Sequence, residues 1–197
     1  MKIGIIGKGN VGTAIGTGLT RKGHIIKYGH RDVKEPVDRA AEWGEVLILA
    51  VPHDSLENVA KDIGSAADGK VVLDVTNAVG DDWNLTIGFT TSMAEELQKM
   101  LPRARVVKAF NTVFAKNQST GKVGGEQLTL FVAADDAEAK QTIMRLGSEI
   151  GFNAVDAGPL KSARYLEPMA MLLMIMAFQL GMGVDIGYKL VKGQPKK

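Results

Sequence analysis

The chain has 197 residues, 45% of them hydrophobic, and a formal net charge of +2 with a pI near 8.7. This is enough apolar material for one substantial core, and the mild, scattered positive charge lacks the aromatic interleaving of a nucleic-acid face. The absence of cysteine excludes disulfides, thiolate metal sites and a cysteine nucleophile, and His24, His30 and His53 are too dispersed to compose a zinc site.

Lys2 to Ile6 is a short apolar run and reads as the first strand. With a strand beginning at Lys2, the reading expects no leader peptide and a cytoplasmic location. The strand runs directly into Gly7-Lys8-Gly9-Asn10-Val11-Gly12, and Val11 to Arg21 then reads as a helix ending at Gly23. Strand, glycine turn and helix in this order form the phosphate-binding start of a dinucleotide fold. Gly7 permits the tight turn, Gly9 lets the backbone approach a pyrophosphate, and Gly12 lets the helix pack on the strand. Lys8, Asn10 and Val11 complete the turn, whose unpaired N–H groups and helix dipole suit phosphate.

The second strand, His24 to Tyr28, ends at Gly29-His30-Arg31. An acidic residue about 20 positions past the glycine turn commonly holds the ribose of NAD(H). Here the place is taken by Gly29 and His30, followed by Arg31, whose guanidinium can pair with a 2′-phosphate in fork geometry. Asp32 is expected to point away, so NADP(H) is favoured over NAD(H). Between Arg31 and Gly44 there is room only for a short helix over Pro36 to Trp43, so the usual third strand is expected to be missing or vestigial.

Glu45 to Pro52 is the next strand, apolar enough to be covered on both faces. It ends at Val51-Pro52-His53, at the carboxyl edge of the sheet where ligands of such folds sit. Asp54 or Ser55 is suited to cap the following helix, and His53 stands either against the cofactor or as a solvated neighbour of that cap. Val71 to Val75 is another buried strand leading to Thr76-Asn77-Ala78, which brings Asn77 towards ribose or nicotinamide. Asp74, the charge within that run, reads as a paired structural group. Gly80 to Thr91, carrying Asp81, Asp82 and Trp83, is a polar loop suited to a substrate entrance. Ser92, with Glu95 three positions on, forms a capping box for a helix from Met93 to Leu101.

Arg105 to Phe110 is a further strand with Asn111-Thr112 at its tip; Asn111 suits either an uncharged contact to a ligand or an Asx-turn. A strand over Leu128 to Ala134, a helix over Asp135 to Ile150 and a strand over Asn153 to Ala157 close the α/β portion. Five of the nine methionines then fall between Met169 and Met182. This stretch of about fourteen residues is short of the roughly 20 needed to cross a bilayer, so no membrane association is expected. It is apolar nearly all round and is expected to be buried, as a core helix, an adaptable pocket or a dimer contact.

The expected fold is therefore α/β: a Rossmann-type, doubly wound, mostly parallel sheet with a shortened third-strand region and a C-terminal apolar helical segment. Its organisation is a nucleotide-binding domain over 1–158, a helical segment over 159–192 for dimerisation or a substrate pocket, and a tail over 193–197.

The chain resembles the NADP-dependent reductases of the deazaflavin coenzyme F-420. The resemblance rests on Ile6 to Gly12, Gly29-His30-Arg31, Ala50-Val51-Pro52, Val107 to Thr112, Asp156 to Leu160 and, most particularly, Gly181-Met182-Gly183 through Gly187 to Leu190. The cytosolic domains of transmembrane metalloreductases, which pass electrons from NADPH to a flavin, are similar too. The resemblance implies a homodimeric NADP(H) oxidoreductase with a deazaflavin, FMN or FAD as second redox partner. In two places the chain departs from the family. Lys8 shortens the glycine turn by one residue, and Asn111 stands where deazaflavin-using members tend to have His.

Together these readings place cofactor contacts at Gly7, Lys8, Gly9, Asn10, Val11, His30, Arg31, Val51, Pro52, His53 and Asn77, and second-ring contacts at Asn111 and Thr112. No catalytic side chain and no metal ligand is assigned, because hydride transfer between two rings is chemistry the cofactors themselves carry. Two other functions fit the same outline. One is an imine or keto reductase of the outline of pyrroline-carboxylate reductases or β-hydroxyacid dehydrogenases; resemblance to those dehydrogenases implies Lys161 as the candidate proton donor. The other is a sensor that binds NADP(H) without turnover.

Overall fold

The computed structural model describes residues 1–32, 34–80 and 83–193. The chain runs β1 (Lys2–Ile6), α1 (Asn10–Thr20), β2 (Ile25–Gly29), α2 (Val37–Trp43), β3 (Val46–Leu49), α3 (Leu56–Ile63), β4 (Val71–Asp74), α4 (Met93–Met100) and β5 (Arg105–Lys108). It continues with α5 (Ala115–Gln118), β6 (Lys122–Val123), β7 (Glu126–Gln127), β8 (Thr129–Ala134), α6 (Ala137–Ile150), β9 (Asn153–Asp156) and α7 (Ala163–Met174).

Seven strands form one sheet in the order β2-β1-β3-β4-β5-β8-β9. All neighbours are parallel except β5 and β8. The chain reverses its direction of travel between β1 and β3, which creates the crevice where ligands of open α/β sheets bind. Among the described residues no strand lies beyond β2, in keeping with the brevity of residues 31–44. The β6–β7 hairpin was not foreseen; two-residue strands carry too little periodicity to be read.

Side-chain alternation along the strands divides the core between the two faces. From β3, Val46 and Ile48 join Ile15 and Leu19 of α1 and Ile143 and Leu146 of α6. Leu47 and Leu49 face the other way, onto Ala40 of α2, Val59 of α3 and Leu97 of α4. Leu47, Ile48 and Leu49 are all 0% exposed, and burying such a side chain contributes about 1.5–3 kcal/mol. The continuous apolar run is thus explained by a strand covered twice.

Two helix starts carry a side-chain cap, the expected one at Ser92 and one at Asp136 that was not expected. Ser92 Oγ accepts from Glu95 N at 3.2 Å and donates to Glu95 Oε2 at 2.8 Å, so Glu95 meets the cap hydroxyl rather than the cap backbone N–H of the expected box. Asp136 Oδ1 accepts from Ala139 N at 2.7 Å and caps α6. Asp54 and Ser55 do not cap α3. A single 3₁₀ turn (His53–Ser55) precedes that helix, and Ser55 Oγ instead donates to Asp54 Oδ1 at 3.1 Å.

The C-terminal segment departs from expectation in burial. It is helical through α7 and then one π-helical stretch over Ile175–Gln179, but Leu172, Phe178, Leu180 and Met182 are each more than half exposed. Ala163, Leu166, Ala170, Met171, Leu173 and Ala177 are buried, so the chain covers one part of the segment and leaves the other open. The chain then returns as a strap along β8, with Thr129 N donating to Tyr188 O at 2.9 Å and Leu190 N to Thr129 Oγ1 at 2.8 Å. No helix among the described residues is long and apolar enough to cross a membrane.

Candidate functional site

The glycine turn lies at the carboxyl end of β1. Gly7 has φ +105°, and a Cβ there would stand 2.1 Å from Ala50 O. A Cβ on Gly12 would stand 2.1 Å from Gly7 O, so the closeness of α1 to the turn requires glycine. Gly9 differs: a Cβ there would meet nothing within 4 Å. Its side faces open space at the start of an 11-residue helix that has no side-chain cap. Gly9 thus leaves room for a ligand rather than for the protein, as a diphosphate at a helix N-terminus needs. Asn10 is exposed and Val11 half-buried beside it.

The corner after β2 carries an arrangement that the spacing did not reveal. Lys8 Nζ donates to Glu35 Oε2 at 2.8 Å and to Oε1 at 3.0 Å. His30 Nε2 lies 2.6 Å from Glu35 Oε2, while its Nδ1 accepts from Asp32 N at 3.3 Å. An acceptor Nδ1 leaves the ring proton on Nε2, so His30 donates to Glu35. The Lys8 ammonium first, and then the His30 ring, hold the Glu35 carboxyl below its ordinary value. Lys8, expected on the phosphates, is therefore engaged by a carboxylate. Asp32 turns onto its own loop, accepting from Lys34 N at 2.9 Å. Arg31 is exposed and makes no hydrogen bond or ion pair among the described residues.

At the ends of β3, β4 and β5 the structure gathers the remaining candidates. Val51 and His53 are half-buried and Pro52 exposed at the edge beside Gly7. Asn77 Nδ2 donates to Asn111 O at 3.1 Å, and Asn111 Nδ2 donates back to Asn77 Oδ1 at 3.1 Å and to Leu166 O at 2.8 Å. Asn111 is only 6% exposed, and its Oδ1 has no partner. The backbone bends to produce this pair: Phe110 has φ +64° while its ring packs edge-on to Phe152 at 5.5 Å. A non-glycine residue in that conformation costs about 1 kcal/mol or more and persists only where packing holds it. Thr112 is 1% exposed, so of the two residues expected at the second ring neither Thr112 nor Asn111 is open to solvent, whereas Asn77 is half-buried.

Beneath this edge lies a charged cluster with no exposure at all. Lys108 Nζ donates to Asp74 Oδ2 at 2.9 Å and to Thr76 O at 2.6 Å, and ion-pairs with Glu167 Oε1 at 2.8 Å. Glu167 Oε2 accepts from Met93 N at 3.1 Å and Asp74 Oδ1 from Thr76 N at 2.9 Å. Burial opposes the charge on Lys108, but Asp74 and Glu167 outweigh it and hold the ammonium above its ordinary value. Asp74 is thus the paired structural group expected. Its partner was legible in principle, because Asp74 and Lys108 are opposite each other in the β4–β5 register and each is the charge within an apolar run. Lys161, the candidate proton donor of a hydroxyacid-dehydrogenase-like keto reductase, is exposed on a 3₁₀ turn.

A pocket of about 430 Å³ opens beside the Asn77 end, lined by Asn77, Val79, Gly80, Trp83 and Met174. Trp83, the aromatic residue of that lining, packs against Phe178 at 5.6 Å, and Phe178 in turn meets Phe114 edge-on at 5.7 Å. Asp81 and Asp82, placed in this loop by sequence, lie outside the described residues. A second hollow of about 590 Å³, between Lys61 and Arg103, is at the opposite, amino-terminal ends of β4 and β5.

Residues 2–78 match the family described as NADP oxidoreductase coenzyme F420-dependent. Over 185 residues, 88% of this chain, it is 28% identical to metalloreductase STEAP3 of Rattus norvegicus, covering 37% of that protein. It is 29% identical over 157 residues to the F420-dependent NADP reductase of Methanocaldococcus jannaschii, covering 76% of this chain and 66% of the reductase. The chain thus spans little over a third of the metalloreductase and just under two thirds of the archaeal enzyme. A crystal structure from Arthrobacter sp. FB24, provisionally described as an F420-dependent NADP-reductase, superposes with a TM-score of 0.91. It is 24% identical and the match covers 98% of this chain and 100% of that one, which establishes a shared fold. The resemblance drawn from the motifs is borne out: the chain is similar to both the deazaflavin-dependent reductases and the metalloreductases.

Proposed function

We propose that this chain is an NADP(H)-dependent oxidoreductase that transfers hydride between the nicotinamide and a deazaflavin or flavin ring. The observation that carries the reading is the open side of Gly9 at an uncapped helix start, set between two glycines that the backbone requires. The family match over residues 2–78 supports the same cofactor. When bound, the nicotinamide supplies a hydride to a ring that can take up two electrons. The residues present fit that chemistry without an acid or base of their own.

In this reading Gly7, Gly9, Asn10 and Val11 hold the diphosphate, Lys8, His30 and Arg31 receive the 2′-phosphate, and Val51, Pro52 and His53 border the nucleotide. Asn77 presents its amide at the edge of the pocket, held in place by its reciprocal bonds with Asn111. A fixed amide dipole in a half-buried site stabilises charge arriving on a reduced ring without reorganising. Trp83, Phe178 and Met174 supply flat and deformable apolar surface for the second ring.

The exposed Leu172, Leu180 and Met182 support a homodimer through the C-terminal segment, a second copy covering what one chain leaves bare. Sedimentation at micromolar concentration tests it; a monomer there rules it out. The function is tested by stopped-flow oxidation of NADPH with deazaflavin, FMN and FAD offered in parallel, beside imine and keto substrates. Rapid oxidation by at least one ring is expected. Turnover of the imine or keto compounds instead would replace this reading, and tight NADPH binding without any turnover would make the chain a sensor.

A further inference from the structure

The 2′-phosphate corner already contains an anion belonging to the protein. The loop from β2 to α2 folds back through His30 N to Glu35 O (2.8 Å) and Glu35 N to Asp32 O (2.9 Å). That fold lays the Glu35 carboxylate across the gap between Lys8 of the glycine turn and His30 of the β2 end. Lys8 and His30, the residue before Arg31, are thus engaged by one carboxylate, whereas Arg31 has no partner among the described residues. We propose that Glu35 is a specificity-determining residue: an internal stand-in for the 2′-phosphate, which NADP(H) displaces from Lys8 and His30 and NAD(H) leaves in place.

The physical basis is a competition between anions for the same donors. A phosphate monoester carries close to two charges and three acceptor oxygens, against one charge and two oxygens for the carboxylate. The site is also wet: the side chains of Lys8 and Glu35 are 46% and 38% exposed and that of His30 28%. Ion pairs this exposed are weak and exchange readily, so the carboxylate can be displaced at modest cost. That cost falls only on the phosphorylated nucleotide. NAD(H), with a plain ribose, has no need of Lys8 or His30 and leaves Glu35 where it is. Glu35 therefore narrows the preference that Arg31 establishes, and it sets how far NADP(H) outcompetes NAD(H).

The inference rests on the NADP(H) reading, and calorimetric titration with nucleotide fragments separates the two. The full chain is titrated with 2′,5′-ADP, 5′-ADP, NADP⁺ and NAD⁺, as wild type, Glu35→Gln and Glu35→Ala. Both variants are expected to bind 2′,5′-ADP and NADP⁺ about three- to tenfold more tightly, with 5′-ADP and NAD⁺ changed by less than about twofold. The gain should shrink as salt is raised, since it comes from partly exposed charges. If wild type prefers 2′,5′-ADP over 5′-ADP but the variants bind it equally or less well, Glu35 positions Lys8 and His30 rather than competing, and the inference is overturned. If wild type shows no preference for 2′,5′-ADP, the 2′-phosphate assignment itself fails and takes this inference with it. Thermal melts within about 2 °C of wild type, as expected for an exposed pair, exclude misfolding as the cause of any change.

Discussion

Two clusters in this molecule use the same chemistry in opposite surroundings. Lys108 with Asp74 and Glu167 is entirely enclosed, whereas Lys8 with Glu35 and His30 stands at the rim of the glycine turn. In the enclosed cluster, every carboxylate has a second donor from the backbone, at Thr76 N and Met93 N. The latter is the first residue of α4, so the helix dipole offsets the charge that one lysine cannot neutralise. That cluster ties β4, β5, α4 and α7 together. The rim cluster ties only a turn to a loop, and water can substitute for any member of it. Burial decides which ion pair is architecture and which can be exchanged for a ligand.

The sharpest way to break this comparison is to remove the buried lysine. Lys108→Met leaves two carboxylates enclosed without their cation, and a loss of about 3–5 kcal/mol is expected in urea unfolding. A variant as stable as wild type would show that the cluster is held by something other than charge. A change at Gly9 should do the reverse, sparing the fold and damaging binding. Gly9→Ala meets no protein atom, so its melting temperature should hold, while NADP⁺ affinity falls by about 2 kcal/mol or more as amide contacts to a charged group are lost. Unchanged affinity would remove the diphosphate from this turn.

Arg31→Ala should cost about 1.5 kcal/mol in NADPH binding, with little effect on NADH and none on stability. Equal effects on the two nucleotides would end the 2′-phosphate assignment. The smallest effect is expected at an intermediate case. Glu95 accepts from Arg164 Nε at 2.8 Å and Nη2 at 2.7 Å, joining α4 to α7, and both side chains are about one-fifth exposed. Arg164, and then the Ser92 hydroxyl, hold its carboxyl below the ordinary value against the opposing effect of burial. A carboxyl lowered by folding stabilises the protein above its unfolded value near 4.5 and loses that contribution as pH falls towards its folded value. Glu95→Gln should therefore reduce stability by about 1 kcal/mol at pH 7 and progressively less below pH ~4. An identical deficit at pH 7 and pH ~3 would show that the bridge acts by packing rather than charge.

Much of this protein follows from short-range rules that act within a few residues. The strand, glycine turn and helix of residues 2–20, the doubly covered β3, the helix cap at Ser92 and the lost third strand are each set by local periodicity, conformational freedom or chain length. So is the crowding of candidate residues at one sheet edge, since parallel strands place all their carboxyl ends together. What tertiary structure alone decided is which groups meet across the chain. Glu35 reaches Lys8 because the loop between β2 and α2 folds back on itself, and Glu167 reaches Lys108 from α7. Thr112 is sealed in, whereas Asn77 at the end of the neighbouring strand is half-buried. Within the apolar C-terminal segment, packing buries Met171 and Leu173 and leaves Leu172 and Leu180 exposed, a division the all-round apolar sequence does not carry. A sequence carries the charge and size of each side chain, but burial and partner are properties of the packed whole, and they determine what a charge does.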